Sequence, residues 1–341
     1  VPVRQLPAVL RLEQGAIQEQ TTMLDTPSGR LFAVTCGPSE PVASGEDWVV
    51  FLNTGRIRRG GTSRLSTIWA RRWARAGVSS LRLDVRGVGD ADGVGVGDES
   101  LVEDPLASYT PAVLDDVRGA LAWLVERHGA KRFMVVGLCS GATIAYQLAL
   151  AEPRVVGAGL INTPAWYWDD RLRELNAWRQ ARVGGVAPYA LMRSARTRGR
   201  AWSLWALKGA LWTLTGSAAE IWGRSRVRGS LEQLRLRGTR VAAIYSEHDF
   251  GLEYLAHALG PDFPAELSGA GVSFEVVAGP DHTFRPLWSH TVLEGFLERL
   301  LTTIGFLDST VPDAEPRGGQ VLGVREGSLA RAFQSDPSPQ V

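Results

Sequence analysis

The chain has 341 residues, 45% of them hydrophobic, which suffices for one large core or a core with an inserted subdomain. Its formal net charge is +1, so no global field directs it to nucleic acid or a charged membrane surface. No window reaches the roughly 18 uncharged apolar residues of a membrane span, and the start, V-P-V-R-Q-L-P, lacks the pattern of a signal peptide. A cytoplasmic protein is expected, with its two distant cysteines, Cys36 and Cys139, reduced.

In chain order, Val9 to Leu12 and Arg30 to Thr35 read as short strands, with Thr26-Pro27-Ser28-Gly29 as a turn before the second. Asp47 to Leu52 reads as a buried strand ending in Asn53-Thr54-Gly55, followed by a basic loop, Arg56 to Arg64. The spacing then predicts a helix over Leu65 to Ala76, with Ile68, Trp69, Trp73 and Ala76 on one face. A strand from Val78 to Leu83 delivers Asp84-Val85-Arg86-Gly87-Val88-Gly89-Asp90, and a helix follows from Pro111 to His128. The glycines of that turn do not follow G-x-G-x-x-G and do not open a helix, so the turn reads as structural rather than nucleotide-binding.

The apolar run Phe133 to Val136 is cut off by Gly137-Leu138-Cys139-Ser140-Gly141, and a helix-compatible segment runs on to Ala151. A strand follows at Val155 to Ile161. Alternation resumes with strands at Arg240 to Tyr245 and Val272 to Val277, and helices at Leu252 to Leu259 and Pro286 to Ile304. This order predicts an α/β protein with a mostly parallel central sheet flanked by helices. Residues 1–162 and 237–306 form the two parts of the core, and 307–341 an irregular C-terminal tail. Residues 163–236 read as a helical lid, carrying seven of the twelve tryptophans and many arginines.

A strand, a glycine-flanked nucleophile and a helix make a nucleophile elbow. The turn is so tight that only very small residues fit two places before and after its centre. Gly137 and Gly141 bracket Cys139 symmetrically, so Cys139 and not its neighbour Ser140 is the expected nucleophile. Its partners should follow in the order acid, then histidine. His282 sits directly after the last core strand, in Ala278-Gly279-Pro280-Asp281-His282. Asp249 follows the penultimate strand in Ser246-Glu247-His248-Asp249, with Glu247 as the alternate acid and His248 as the rival base. Asp281 is expected to cap its own loop. His128 precedes the elbow, and His257 and His290 lie in predicted helices. An oxyanion needs two backbone donors. Ser140 N–H is one, and Thr54 or Gly55 in the loop after Leu52 is the other.

These residues resemble the α/β-hydrolase superfamily over Asp47 to Ile304. They are similar in particular to the exosortase-associated hydrolases and related serine-aminopeptidase-like proteins. The shared marks are Asn53-Thr54-Gly55 with Arg59-Gly60 and Arg64, D-V-R-G-V-G-D, Asp115-Asp116-Val117-Arg118, G-L-C-S-G-A and Ile161-Asn162-Thr163-Pro164. The resemblance implies an α/β-hydrolase fold with a lid that shapes an acyl pocket. A cysteine in the elbow also resembles that of dienelactone hydrolases and some biosynthetic thioesterases. The long Trp/Arg lid and the tail depart from the exosortase group.

The expected activity is therefore acyl chemistry on an ester or thioester of a bulky hydrophobic substrate, such as a natural-product intermediate, through Cys139, His282 and Asp249. Acyltransfer, elimination of a carboxylate by a lyase in the same pocket, and a non-catalytic binding role stay open. Trp166, Trp168, Trp202 and Trp205 are candidate pocket residues, with packing of the lid as the alternative for each. The arginines suit either a solvated face or the docking of an acyl carrier protein or CoA thioester. No metal-ligand cluster or cofactor motif occurs, and the sequence does not specify an oligomeric state.

Overall fold

The computed structural model describes residues 17–26, 29–40, 45–92, 111–167, 226–308 and 321–322. Its centre is a nine-stranded sheet in the order β1-β2-β4-β3-β5-β6-β7-β8-β9. The strands are β1 Ile17–Thr26, β2 Gly29–Pro38, β3 Asp47–Phe51, β4 Ser79–Asp84, β5 Arg132–Leu138, β6 Val155–Ile161, β7 Arg240–Ser246, β8 Ser273–Val277 and β9 Val321–Leu322. From β4 through β8 neighbouring strands are parallel. The β1–β2, β2–β4 and β8–β9 pairs are antiparallel.

Side chains of the central parallel strands β3 and β4 are buried throughout, on both faces, as parallel sheets require. Along β3, Trp48 and Val50 join one core, and Val49 and Phe51 the other. Along β5, Phe133 and Val135 alternate in the same way with Met134 and Val136. The first face is covered by α2 (Pro111–His128), α3 (Ser140–Ala151), α4 (226–237), α5 (Phe250–Leu259) and α6 (Phe263–Gly269). The second is covered by α1 (Leu65–Arg75) and α7 (Leu287–Thr303). Phe51, Trp69 and Trp73 form an aromatic stack there, with centroids 5.6 Å apart for Phe51–Trp73 and 6.0 Å for Trp69–Trp73. This is the α/β-hydrolase fold, and it puts the loops after β3, β5, β6, β7 and β8 at the carboxyl ends of parallel strands, where such sheets build sites.

Several expectations need correction. In α1 the buried arc runs through Leu65, Trp69, Ala70, Trp73 and Ala74, while Ile68 is 49% exposed and Ala76 is exposed. Ile68 projects almost opposite the centre of that arc, so its hydrophobicity misled the face assignment. Strand β1 was not anticipated, because its inward position 19 holds a glutamate. Glu19 is buried against Arg71 and Arg82 and breaks the apolar alternation. Val9 to Leu12, Pro27 and Ser28 lie outside the described residues.

The two ends of the segment expected to form a lid belong to the core. Within 163–236, residues 163–167 and 226–236 pack onto the core rather than over it. Ala165 and Trp166 are buried, and α4 inserts Val227, Leu231 and Leu234 into the first core. The tyrosine hydroxyl of Tyr146 on α3 and the hydroxyl of Ser230 on α4 are 2.5 Å apart. In the tail, which was expected to be irregular, Val321 and Leu322 pair with Val277 and Val276 as an edge strand.

Candidate active site

The elbow is built as its glycines require. A Cβ on Gly137 would lie 2.1 Å from the Gly141 carbonyl carbon, and one on Gly141 would lie 2.6 Å from the Asn53 carbonyl oxygen. All of these neighbours are backbone, so nothing can swing aside. Between the glycines, Cys139 takes φ 56° and ψ −122°, a sparsely populated conformation for a residue with a side chain. Three bonds hold it there. Its N–H donates to Ile161 O at 2.9 Å, and its own carbonyl accepts Ala142 N–H at 2.9 Å and Thr143 N–H at 3.3 Å. Cys139 ends half-buried at the N-terminus of α3, where the helix dipole favours negative charge.

Asp249 and His282 arrive from the ends of β7 and β8. The Asp249 side chain has no exposed surface, and its two oxygens divide their work. Oδ1 accepts Gly251 N–H at 2.8 Å and caps α5, while Oδ2 accepts from His282 Nδ1. Gly251 is as constrained as the elbow glycines, since a Cβ there would lie 2.3 Å from Thr163 O. His282 also hydrogen-bonds the Cys139 side chain, so it bridges thiol and carboxylate. Burial pulls its pKa down, but the hydrogen bonds to Asp249 and Cys139 and the charges of both override that and raise it to about 10. Phe250 stacks on the imidazole at a centroid distance of 5.1 Å.

Asn162 was noted in the sequence only as a family mark. It is fully buried at φ 45°, a conformation Asn tolerates better than most residues. Its Nδ2 donates to His282 O at 2.8 Å and Ser246 Oγ at 3.1 Å, and its Oδ1 accepts Ser246 N–H at 2.7 Å. One side chain thus fastens the loops that carry Asp249 and His282. The far end of the His282 loop is anchored at Phe284 O, which accepts from His290 Nε2 at 2.9 Å. A buried Asn at a strand end is the signal from which this could have been read.

The other candidates are placed elsewhere. The His248 side chain is 85% exposed, with Glu247 4.0 Å away, and neither touches His282 among the described contacts. Asp281 accepts Arg285 N–H at 2.9 Å and pairs with the Arg285 guanidinium, capping its loop. His128 packs between Trp48 and Trp123. The His257 side chain lies outside the described residues, as do Trp168, Trp202 and Trp205. Trp166 is corrected from pocket to core. Its indole has no exposed surface, donates to Tyr245 Oη at 2.9 Å and packs 4.7 Å from the Tyr146 ring. Of the arginines, Arg228 is engaged by Glu266 through two bonds, and Arg226 lies over the Tyr167 ring.

The D-V-R-G-V-G-D turn braces the site from one side. Buried Asp84 accepts from Arg59 N–H at 2.6 Å and from the Arg59 guanidinium at 2.5 Å, and a Cβ on Gly89 would strike it at 2.2 Å. Asp116 holds Arg86 through both of its oxygens. These bonds fix the loop after β3, which carries the remaining expected donors. There one expectation fails. Gly55 N–H is already bonded to Ser140 Oγ at 2.6 Å and does not point into a vacant site. Ser140 N–H and Thr54 N–H have no acceptor among the described residues.

Comparisons with known proteins agree on the architecture. The chain is similar to an esterase from Pyrococcus furiosus, with a TM-score of 0.53, 14% identity, 83% of this chain and 92% of that one covered. It is also similar to a cold-adapted esterase from an Arctic intertidal metagenomic library, with a TM-score of 0.50, 14% identity, and 87% and 99% coverage. No protein-family model matches the chain, and no curated protein does. Among the described residues no group of side chains is arranged to hold a metal, and no helix is long and apolar enough to cross a membrane.

Proposed function

We propose that this protein is an acyl-transferring enzyme of the α/β-hydrolase type, acting on an ester or thioester through Cys139, His282 and Asp249. The observation that carries the reading is the continuous link from the Cys139 side chain through His282 to Oδ2 of Asp249. Cys139 Sγ attacks the acyl carbon, forming a C–S bond and placing negative charge on the carbonyl oxygen. That charge meets the N–H of Ser140 and a donor of the 53–55 loop. The intermediate collapses as the bond to the alcohol or thiol breaks, and the His282 imidazolium delivers its proton to the leaving group. Water or another acceptor then attacks the acyl-thioenzyme, returning a proton to His282 and freeing Cys139. Asp249 keeps Nδ1 as the donor, so Nε2 faces the chemistry, and it offsets the positive charge of the imidazolium.

The direct His282–Cys139 contact favours acyl transfer over elimination, in which the thiol would be a bystander. The esterase neighbours share the fold and fit such chemistry. A thiol nucleophile exchanges with a thiol leaving group at little energetic cost, which suits a CoA or carrier-protein thioester as acyl donor. The resemblance to the exosortase-associated hydrolases names no substrate, and the bulky acyl group rests on the tryptophan-rich composition of residues 163–236.

Intact-mass measurement after exposure to p-nitrophenyl and thioester acyl donors tests the reading. A single acyl adduct that is absent from Cys139→Ala is expected. No adduct on the wild type, or an equal adduct on the variant, would sink it. Cys36 will not confuse the result. It is fully buried, and burial, reinforced by Glu19, pushes its thiol up to about 12.

A further inference from the structure

The Ser140 side chain does something that the elbow motif does not call for. Its backbone N–H is an expected oxyanion donor, yet its hydroxyl reaches across to the loop after β3 and accepts Gly55 N–H at 2.6 Å. Ser140 is 2% exposed. The surroundings of the hydroxyl are apolar: the cavity beside it is lined by Leu52, Val85, Val113, Val117 and Ile144, with Asn53 and Gly55 as its other polar neighbours. Such a bond has little competition from water and is costly to lose. The backbones are also pressed together here, because Gly141 leaves no room between α3 and Asn53 O. The elbow and the loop are therefore held in one register by contact at Gly141 and by one bond at Ser140.

Resting on the acyl-transfer reading, we infer that the Ser140 hydroxyl is a positioning residue for the oxyanion site. By taking up Gly55 N–H it leaves Thr54 N–H as the loop's donor and fixes its direction relative to Ser140 N–H. A serine after the nucleophile thus supplies one donor through its main chain and aligns the second through its side chain. Without the hydroxyl, the Gly55 peptide is held only through its carbonyl, Thr54 O, which accepts Ile57 N–H at 2.9 Å, and the loop donor loses its alignment with the developing oxyanion.

The test compares two reactions of the same sulfur. Acylation by p-nitrophenyl acetate passes through an oxyanion, whereas alkylation by iodoacetamide is a direct displacement at carbon and does not. In Ser140→Ala, acylation of Cys139 is expected to slow about ten- to hundred-fold, while alkylation stays within about two-fold of wild type. Ser140→Thr, whose extra methyl has the neighbouring cavity to enter, should restore most of the acylation rate. Ser140→Cys, nearly isosteric but a weaker acceptor, should show the same selective loss and serves if the alanine variant does not fold. Equal acylation in Ser140→Ala and wild type overturns the inference. So does a parallel loss of both reactions, which would mark a merely structural role. A wild type that is alkylated but never acylated removes the acyl-transfer reading itself, and the inference with it.

Discussion

Asn162 Nδ2 donates to the carbonyl of His282 at 2.8 Å, tying the end of β6 to the loop that follows β8. The two residues are 120 positions apart in the chain, and the bond is buried at one end and next to the imidazole at the other. Truncating the Asn162 amide takes the partner from three groups, His282 O, Ser246 Oγ and Ser246 N–H. Asn162→Ala should therefore cost roughly 2–4 kcal/mol of stability, read by urea denaturation. Asn162→Asp keeps the acceptor for Ser246 N–H but sets an oxygen against His282 O. It should lose Cys139 acylation more than it loses stability. Unchanged acylation in Asn162→Asp would show that His282 is held by other contacts.

Asp249→Asn tests the orientation of the imidazole. An amide in this place offers no negative charge and can select the wrong tautomer, so acylation should fall on the order of 10³–10⁴-fold, with the fold retained. His282 carries a pKa raised to about 10, and in the variant the raising influence of Asp249 is gone while burial still lowers it. NMR titration of the imidazole should show the shift downward. Stability follows with a definite sign. A histidine raised in the folded state adds stability that is complete below the unfolded value near 6.5 and disappears as pH climbs through about 10. The stability gap between wild type and Asp249→Asn should narrow over that window.

Gly137→Ala places a methyl 2.1 Å from the Gly141 carbonyl carbon and 2.4 Å from Ala142 N. Both are backbone atoms of the elbow, so the strand–helix junction must open. A loss of at least about 3 kcal/mol is expected. Gly60→Ala is the control, because its nearest neighbour is Thr67 Oγ1 at 3.6 Å, an ordinary contact. It should change stability by less than about 1 kcal/mol. Similar denaturation midpoints for the two variants would contradict the steric account.

Glu294 on α7 gives a second pH signature. Burial raises its pKa to about 7, although Arg72 at 2.7 Å pulls the other way and Glu298 adds to the rise. Its Oε1 is buried without a partner. A carboxyl raised in the folded state binds its proton more tightly there, so stability declines as pH rises from about 4.5 toward 7. Glu294→Gln removes the charge and should flatten that decline, making the variant relatively more stable at pH 8 than at pH 5. Thermal melts at the two pH values check this, and a constant difference would refute it.

Much of this protein was legible in local chemistry. The alternation of apolar runs with helical periods announced a parallel α/β sheet, because strands buried on both faces must be hydrophobic throughout. The glycines around Cys139 marked the elbow, because a Cβ on Gly137 would lie only 2.1 Å from the Gly141 carbonyl carbon. The meeting of Asp249 with His282 followed from their positions after consecutive core strands. Other features depend on atoms distant in sequence, and only the tertiary structure decided them. Ile68 looked like a core residue until the packing of α1 set which arc faces the sheet. Trp166 looked like a pocket residue until Tyr146 and Tyr245 were seen to enclose it. Gly55 looked like an oxyanion donor until Ser140, 85 residues away, was found to hold its N–H. The physical reason is the same in each case. Steric demands and periodicity act between near neighbours and leave a trace in the sequence, whereas a hydrogen bond or burial between distant segments exists only once the sheet has brought them together.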